Sequence, residues 1–468
     1  MTIGTLPDDV LLEIFKFFID QNEFHFSPSE EWHTLVHVCR RWRNLAFTFL
    51  RHLNLVLSCR PPYRSVKDLL DIWPELPIYI DDSGHPSKEA RDDVVDALKL
   101  NHRVSRIRLE SASFSAWETL APLIQRPFPA LTHLWIDQPA HSMKDVIPRS
   151  FLGGSAPCLR VLLLDGVSFP ALPELLSSST NLVRLWHDNI PDSGYISPEA
   201  MSTCLPALTG LKSLSLTFRP ESFPYSAIRI PPPDTRILLP ALTDLHFQGA
   251  PEYMEDLVAH IDAPSLESLA IGFFPQELEV LQVSELAKFV RRADKLSLAD
   301  RAKVTFGSAY ISIVVFRKLR VDPKTLMLNF ENPESHLQLL HLVQFCTSCL
   351  STLSTFECLH IIGPLHGSWA GAIDRDDLDP QWLELLRPFN NLKDLHLSHC
   401  IAPYVAQGLR GLPVERVTEV LPALENVFIS SPQPFAPVNA AISQFANTRQ
   451  LSGHPVSIHW EESVHVGE

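Results

Sequence analysis

The residues with the clearest capacity for chemistry are a cysteine pair, an acidic run and a small histidine group. Cys346 and Cys349 make the one CxxC among eight cysteines. A zinc site takes four ligands, and no second CxxC or paired histidine motif follows at a matching spacing. The cysteines are therefore predicted to be reduced, buried thiols of a cytosolic or nuclear protein.

The acidic run and the histidine group are also incomplete as sites. The four aspartates between residues 374 and 379 lack the glycine and distal glutamate of a calcium loop, which favours a solvated acidic loop. His396, His399 and Cys400 are the nearest to a cluster, but their positions in a repeat favour structural or surface roles. The signatures GxxxxGK[ST], GxGxxG, HExxH and GxSxG are absent from the sequence. The prediction is a protein that is not an enzyme, with no catalytic residue, no metal and no cofactor.

Charge and hydropathy argue against nucleic-acid and membrane partners. The chain has 39 basic and 54 acidic residues among 468, a net charge of −15. A nucleic-acid binder needs a basic patch. The basic runs in this sequence are short, and residues 40–43 are an example. No run approaches the ~20 apolar residues of a membrane span. Asp8 and Asp9 interrupt any signal-peptide pattern, so a cytoplasmic or nuclear location, or both, is expected.

The elements that open the chain are predicted to be helices. Pro7 suits a first helical turn, and Asp8 and Asp9 suit the positive end of the helix dipole. An apolar stripe follows at helical steps, formed by Val10, Leu11, Ile14, Phe15 and Phe18. A second start signal at residues 27–30 precedes another apolar face, formed by Trp32, Leu35, Val36, Cys39, Trp42, Ala46 and Phe49.

A helical unit of about fifty residues cannot bury this much apolar surface by itself. The excess either contacts another protein or packs on the following part of the same chain. Periodicity alone leaves both interpretations open.

The order of residues in these two segments resembles the F-box. Its first half begins with Leu6-Pro7 and runs through an acidic, leucine-rich helix to Ile14-Phe15. Its second half runs from Trp32 to the ending Val-Cys-basic-x-Trp at residues 38–42. The resemblance covers about a tenth of the chain. The run at residues 41–47 and the long segment at 19–31 are similar to the large F-box families of mushroom-forming (basidiomycete) fungi.

The resemblance implies that the N-terminal module docks on the Skp adaptor and, through it, on a cullin-RING ubiquitin ligase of the SCF type. The chain would then be the substrate-recognition subunit of that ligase. The residues that the resemblance assigns to adaptor binding are Leu6, Pro7, Val10, Leu11, Ile14, Phe15, Leu35, Val38, Cys39 and Trp42. Some of them must hold the module's own helices together, and the sequence does not separate the two groups. The segment at 19–31 is longer than in the compact form of the family, and the sequence leaves open whether it weakens or reshapes the adaptor contact.

A leucine-rich frame, L-x-x-L-x-L, recurs along the rest of the chain. Its first five copies begin at residues 104, 131, 159, 182 and 211, so the intervals are 27, 28, 23 and 29 residues. Leucine-rich repeats run about 20–29 residues. Further copies begin at 242, 266, 392 and 424, and the phrase Pro-Ala-Leu recurs at residues 129, 206, 240 and 422.

The predicted fold class is therefore α/β. A small helical F-box-like module (residues 1–52) precedes an irregular leucine-rich-repeat solenoid (residues 53–468), with parallel strands on the concave face and helices and loops outside. The frame fits poorly at 296–350, and residues 430–468 are expected to cap the stack. Exposed loops are expected at 220–233 and 363–379. Leucine-rich repeats commonly have Asn or Cys at the ninth position of the frame. Most repeats of this sequence have another residue there, so irregular loops are expected.

The variable strand positions are expected to present a protein-binding surface. Most single positions are expected to be merely solvated, and the target stays unknown. The set consists of Thr132, His133, Trp135, Arg184, Trp186, Lys212, Asp244, His246, Lys393, Asp394 and His396. The alternative function is a leucine-rich-repeat binding scaffold without a ubiquitin-ligase role, whose helical module only caps the repeats.

Overall fold

The computed structural model describes most of the chain, in two compact units that span residues 1–211 and 212–468. The described residues are 6–20, 32–48, 55–58, 76–82, 88–110, 117–138, 146–220, 235–274, 283–296, 300–307, 310–316, 324–331, 339, 342–343, 345–346, 348, 356–363, 375–410, 412–430 and 436–461. Among the helices of these ranges, none combines the length and apolarity that a membrane crossing requires.

Three helices open the first unit: α1 (Asp8–Asp20), α2 (Trp32–Val38) and α3 (Arg40–Thr48). The carbonyl of Pro7 accepts the first helical bond, from the N–H of Leu11 at 3.0 Å. The second predicted helical face is split in two at Cys39. The Cys39 sulfur lies 3.4 Å from the N–H of Trp42, so this side chain acts as a cap at the start of α3.

Six parallel strands follow in the first unit and pair in chain order. They are β1 (Leu55–Ser58), β2 (Ile78–Asp82), β3 (Val104–Leu109), β4 (His133–Asp137), β5 (Val161–Asp165) and β6 (Arg184–Ile190). The intervening helices are α4 (Lys88–Lys99), α5 (Trp117–Ile124), α6 (Leu172–Leu176) and α7 (Pro198–Cys204). Short 3₁₀ turns occur at Phe151–Gly154, Asp192–Gly194 and Leu205–Ala207.

The leucine frame sets the register of these strands. Ile107 pairs with Leu134, Leu134 with Leu162, and Leu162 with Leu185, and all four side chains are buried. This row is the second leucine of each frame. Because side chains alternate along a strand, the third leucine, two residues later, points into the same core. The predicted parallel repeat core is confirmed.

The recurring phrase Pro-Ala-Leu is a turn that joins each repeat to the one before. The N–H of Leu131 donates to the carbonyl three residues earlier, with Pro129 at the second turn position. Proline favours this position because its ring already fixes the required φ. The hydroxyl of Thr132 donates to the carbonyl of Ser105 in the preceding repeat at 2.9 Å. Residues 240–243 repeat both bonds.

The described residues of the second unit form further strands and helices. Its strands are β7 (Ser213–Phe218), β8 (Ile237–Leu238), β9 (Asp244–Gly249), β10 (Ile261–Asp262), β11 (Ser268–Phe273), β12 (Arg301–Phe306), β13 (Tyr310–Phe316), β14 (Lys324–Glu331), β15 (Cys358–Ile362), β16 (Asp394–Ser398), β17 (Asn426–Ser430) and β18 (Ser457–Glu461). Its helices are α8 (Pro251–His260), α9 (Ser284–Arg292), α10 (Arg375–Leu386), α11 (Ala402–Arg410) and α12 (Ala436–Leu451). Strands β8 and β10 form a separate two-stranded sheet.

Between β11 and β15, the order of strands in the sheet differs from their order along the chain. This is the stretch where the leucine frame fits poorly. The strands there run β11–β14–β13–β12–β15, and β13 is antiparallel to both of its neighbours. Strands β14 and β12 still pair in parallel with β11 and β15 respectively. An antiparallel meander therefore replaces the regular repeat. Leucine and cysteine spacing predicts a helix at 339–349 within this stretch. Its described residues are helical, and five of them are buried.

A buried carboxylate joins two consecutive helices of this unit. Glu255 of α8 accepts hydrogen bonds from the backbone N–H groups of Glu285 (2.9 Å) and Leu286 (2.8 Å), and from the hydroxyl of Ser284 (3.3 Å). These are among the N–H groups that the first turn of a helix leaves without an intrahelical partner. The Glu255 side chain thus caps α9 from the neighbouring repeat.

The predicted loops and the C-terminal cap are described in part. The predicted loop at 363–379 overlaps α10, which begins at Arg375. Asp376, Asp377 and Asp379 belong to that helix, and Asp374 lies outside the described residues. Residues 221–233 of the other predicted loop lie outside the described part, as do residues 21–31 of the long segment between α1 and α2. The predicted boundary at 52/53 falls among residues 49–54, also outside it, and stays a prediction.

Candidate functional site

Helix α1 carries two apolar faces. Leu11 and Phe15 are buried, whereas Val10 and Ile14 are each 40% exposed and Phe17 is 70% exposed. Steps of four and three residues bring Val10, Ile14 and Phe17 onto one side of a helix. We call these three residues the α1 stripe. It is an apolar surface that the described residues of the chain leave largely uncovered.

The buried face of α1 packs on the two helices that follow. The rings of Phe15 and Trp42 meet edge to face with centroids 4.9 Å apart. Leu35, Val36 and Ala46 are buried as well, so α2 and α3 complete a small core. Aromatic pairs of this geometry add about 0.5–1.5 kcal/mol beyond their area burial.

Arg41 fixes the start of α1 against α3. Its Nε donates to Asp8 Oδ1 at 2.9 Å, and its Nη2 donates to the carbonyl of Leu6 at 2.6 Å. Both side chains of this ion pair are substantially exposed, so its contribution to stability is small. Its effect is on orientation, because it holds the Leu6-Pro7 segment beside the junction of α2 and α3.

The structure sorts the ten residues that the sequence assigned to this module. Leu11, Phe15 and Leu35 are buried and belong to its core, and Leu6 and Trp42 are half-buried. The exposed members are Pro7, Val10, Ile14, Val38 and Cys39. Sequence reasoning missed Phe17, which the spacing from Val10 and Ile14 could have identified. Contact of any of these residues with an adaptor stays a prediction.

The strand face of the first unit carries two parallel rows of side chains. The inner row, Trp135, Leu163 and Trp186, is apolar and partly exposed. Arg108 and Arg184 lie over the two tryptophan rings, at 3.9 and 5.0 Å from the centroids. These cation–π contacts hold the indoles in place on the face.

The second row lies two residues further along the same strands and is acidic. Asp137, Asp165 and Asp188 pair in register across β4, β5 and β6. Burial, and then the charges of Asp165 and Glu110, raise the pKa of Asp137. We call the two rows together the Trp–Asp face. His133, predicted to face outwards, is almost fully covered, and its Nδ1 lies 2.8 Å from the Thr132 hydroxyl.

A ladder of stacked rings marks the strand face of the second unit. His360, His396, Phe428 and His459 pair in register on β15 to β18. Successive ring centroids are 4.2, 4.3 and 4.8 Å apart, and the rings are within 19° of parallel. The spacing follows from the separation of neighbouring strands.

One group of three side chains in the described part of the chain could hold a metal ion: Cys358, His360 and His396. Their ligand atoms all lie within 4.8 Å of one another, and Cys358 Sγ is 3.3 Å from His360 Nε2. The sequence grouped His396 with His399 and Cys400 of its own repeat instead. Sequence reasoning missed a further copy of the leucine frame, formed by Phe356, Leu359 and Ile361. Aligning this copy with the one that begins at residue 392 places residue 360 beside residue 396.

Cys346, the described cysteine of the CxxC motif, is not part of that group. Cys346 is fully buried, and burial raises its pKa, so the thiol stays protonated at neutral pH. Cys349 lies outside the described residues.

Comparison with known proteins finds a matching family and similar solved structures. Residues 3–55 match the F-box-like family, so an F-box-like domain forms the N-terminal part of the chain. No curated protein matches the chain. Among solved structures, the leucine-rich repeat-containing protein LegL7 from Legionella pneumophila is 12% identical, covering 86% of this chain and 98% of its own, with a TM-score of 0.28.

Proposed function

We propose that this protein is the substrate-recognition subunit of an SCF-type ubiquitin ligase. Its F-box-like domain would bind a Skp-type adaptor and, through it, a cullin-RING ligase, while the repeats hold a protein target. The observation that carries the proposal is the exposed α1 stripe on a domain that matches the F-box-like family. F-box-like domains generally bind Skp1-type adaptors. Bond chemistry would occur elsewhere in the complex, and this chain would contribute position.

The α1 stripe supports the proposal energetically. Covering a fully exposed Val, Ile or Phe side chain contributes roughly 1.5–3 kcal/mol each. The three side chains are between 40% and 70% exposed, so an adaptor could gain about 3 kcal/mol from them. Val38 and Cys39 extend the exposed surface at the junction of α2 and α3. Apolar anchors of this kind usually dominate the affinity of an interface.

The Trp–Asp face is the proposed target-binding surface of the first unit. A target side chain that fills the Trp135–Leu163–Trp186 row needs to be apolar. The acidic row beside it favours a lysine or arginine in the target. In an extended target segment, this basic residue would lie two positions from the apolar one. The proposed target is therefore a protein segment that combines an apolar anchor with a basic residue.

The proposed origin and location follow the resemblance. From the residues at 19–31 and 41–47, we propose that the protein belongs with the F-box families of basidiomycete fungi and acts in the cytoplasm or nucleus of such a cell. Ubiquitin ligation of the SCF type takes place in these compartments.

The test is capture of a purified Skp-type adaptor by the full-length protein. Ile14→Asp puts a charge into the α1 stripe at an exposed position, so the fold is retained and adaptor binding should fall at least tenfold. Leu451→Asp is the matched control, since Leu451 is 80% exposed on α12 and its replacement should leave binding unchanged.

The two other outcomes decide against the proposal. Equal binding by wild type and Ile14→Asp would mean that the α1 stripe is not the contact. Failure of the folded wild-type protein to bind any Skp-type adaptor would leave the scaffold function, in which the module only caps the repeats.

A further inference from the structure

Three potential metal ligands converge on the strand face of the second unit. Cys358 and His360 are two residues apart on β15, so both side chains point to the same side of the sheet. His396 pairs directly with His360 on the neighbouring strand β16. Cys358 is 4% exposed, while both histidines are half-buried. The parallel register therefore fixes the three attachment points on a rigid sheet.

The chemistry of this set is specific. Thiolate and imidazole together select zinc and related borderline-to-soft cations over magnesium or calcium, which prefer oxygen ligands. The stacked ladder explains the position of the two histidines without a metal. It does not account for Cys358, whose sulfur lies 3.3 Å from His360 Nε2.

We propose that Cys358, His360 and His396 form a binding site for a zinc-class divalent cation. Three protein ligands leave a fourth tetrahedral position open to water, as in sites where zinc stays accessible. On binding, the Cys358 thiol loses its proton to solvent and the thiolate bonds to the metal, so one proton is released for each ion bound.

The distances require a small closure around the ion. With Zn–S near 2.3 Å and Zn–N near 2.0–2.1 Å, tetrahedral ligand atoms lie about 3.3–3.6 Å apart. The sulfur and His360 Nε2 already have this separation. The His396 ring, which stacks on His360 at 4.2 Å, must tilt out of the parallel stack to bring its nitrogen about 1 Å closer. Such a tilt needs a side-chain rotation and no backbone movement.

Charges around the site are mixed. Arg301 pairs in register with Cys358, and Lys303 with His360, so two cations stand on the β12 side. Asp394 pairs with Cys358 from β16, and its carboxylate accepts a hydrogen bond from Asn426 at 2.9 Å. The aspartate and the thiolate together offset the two basic side chains when the ion is present.

The experiment is titration of the full-length, reduced protein with Zn²⁺ and with Co²⁺ alone. We expect one high-affinity equivalent, and for Co²⁺ the thiolate charge-transfer and tetrahedral ligand-field absorption bands. Cys358→Ser should remove the charge-transfer band. His396→Phe, which retains the ring for stacking on Phe428, should weaken binding at least tenfold.

Two variants serve as controls. Cys400→Ser removes a thiol outside the group, and His459→Phe changes a ladder ring outside it, so both variants should bind like wild type. The proposal fails if wild type shows no stoichiometric binding, if Cys358→Ser retains the charge-transfer band, or if the controls lose binding as much as the ligand variants. The site does not depend on the proposed ligase role, which adaptor capture tests separately.

Discussion

His187 is a polar side chain placed at a core position of the leucine frame. It stands where the third leucine of the repeat at 182 would be, and it is fully buried. Its Nε2 lies 2.9 Å from the carbonyl of Val167, which occupies the ninth position of the preceding frame. The neutral ring with its proton on Nε2 donates to that carbonyl. Val167 has an apolar side chain at the ninth frame position. The His187 side chain of the next repeat supplies a hydrogen bond to its backbone carbonyl.

The burial of His187 predicts a loss of stability in acid. Burial lowers its pKa from 6.5 to about 4, so between these values the unfolded chain binds more protons than the folded one. The contribution of this group is complete above pH 6.5 and declines by up to about 3 kcal/mol as pH falls toward 4. His187→Gln keeps a donor for the Val167 carbonyl but does not titrate, so its acid loss should be smaller.

Hydrogen exchange of the β5 and β6 amides at pH 7.5 and pH 5 measures this effect locally. His102→Gln, at an exposed turn, is the control and should keep the full acid loss. Equal acid losses in wild type and His187→Gln would contradict the assignment.

At the same scale, sequence could identify the residues of the F-box-like module but not their exposure. Leu11 and Ile14 are both apolar and three residues apart, yet one is in the core and the other is 40% exposed. Their side of α1 depends on where α2 and α3 pack, and Arg41 and the Phe15–Trp42 contact determine that packing. These contacts join residues more than 25 positions apart, which periodicity does not report.

At the scale of elements, α8 and α9 depend on one carboxylate. Glu255→Ala would leave two backbone N–H groups and the Ser284 hydroxyl without their acceptor, at a cost of about 1–3 kcal/mol. Glu255→Gln retains an acceptor oxygen and should cost less. Exchange protection of α9 amides is the direct measurement.

Glu384→Ala is the control for that experiment. Glu384 is about half exposed in an (i, i+3) ion pair with Arg387, so its loss should change stability by less than about 0.5 kcal/mol. An α9 that is equally protected in Glu255→Ala and in wild type would contradict the capping role.

Strands and their register were predictable where the frame is regular, because its spacing fixes which side chains enter the shared core. The row through Ile107, Leu134 and Leu162 is the clearest case. The meander was not predictable, since β12 to β14 alternate like any half-buried strands and their order depends on non-local pairing. Strand β15 was missed because Phe356 replaces the first leucine of its frame.

At the scale of the whole molecule, the α1 stripe and the Trp–Asp face are separate surfaces. Trp186→Ala combined with Trp135→Ala should lose targets and retain the adaptor, whereas Ile14→Asp should do the reverse. Proximity labelling with each variant in the native cells measures both sets of neighbours at once.

Lys99→Ala, at an exposed position on α4, should retain the adaptor and the targets alike and is the control for that comparison. Loss of the same neighbours in both variants would mean that one surface binds everything, and the two-surface interpretation would fail.

The antiparallel meander also lengthens the time between the synthesis of two strands that are neighbours in the sheet. Strand β9 ends at Gly249 and its neighbour β11 begins at Ser268, 19 residues later by subtraction. Strand β11 ends at Phe273, but its next neighbour β14 begins only at Lys324, 51 residues later. At ~5–20 residues per second, the ribosome needs about 3–10 s to deliver β14. During that interval the nascent sheet ends in an open edge, and this is when pairing with another polypeptide or a chaperone is most accessible to it.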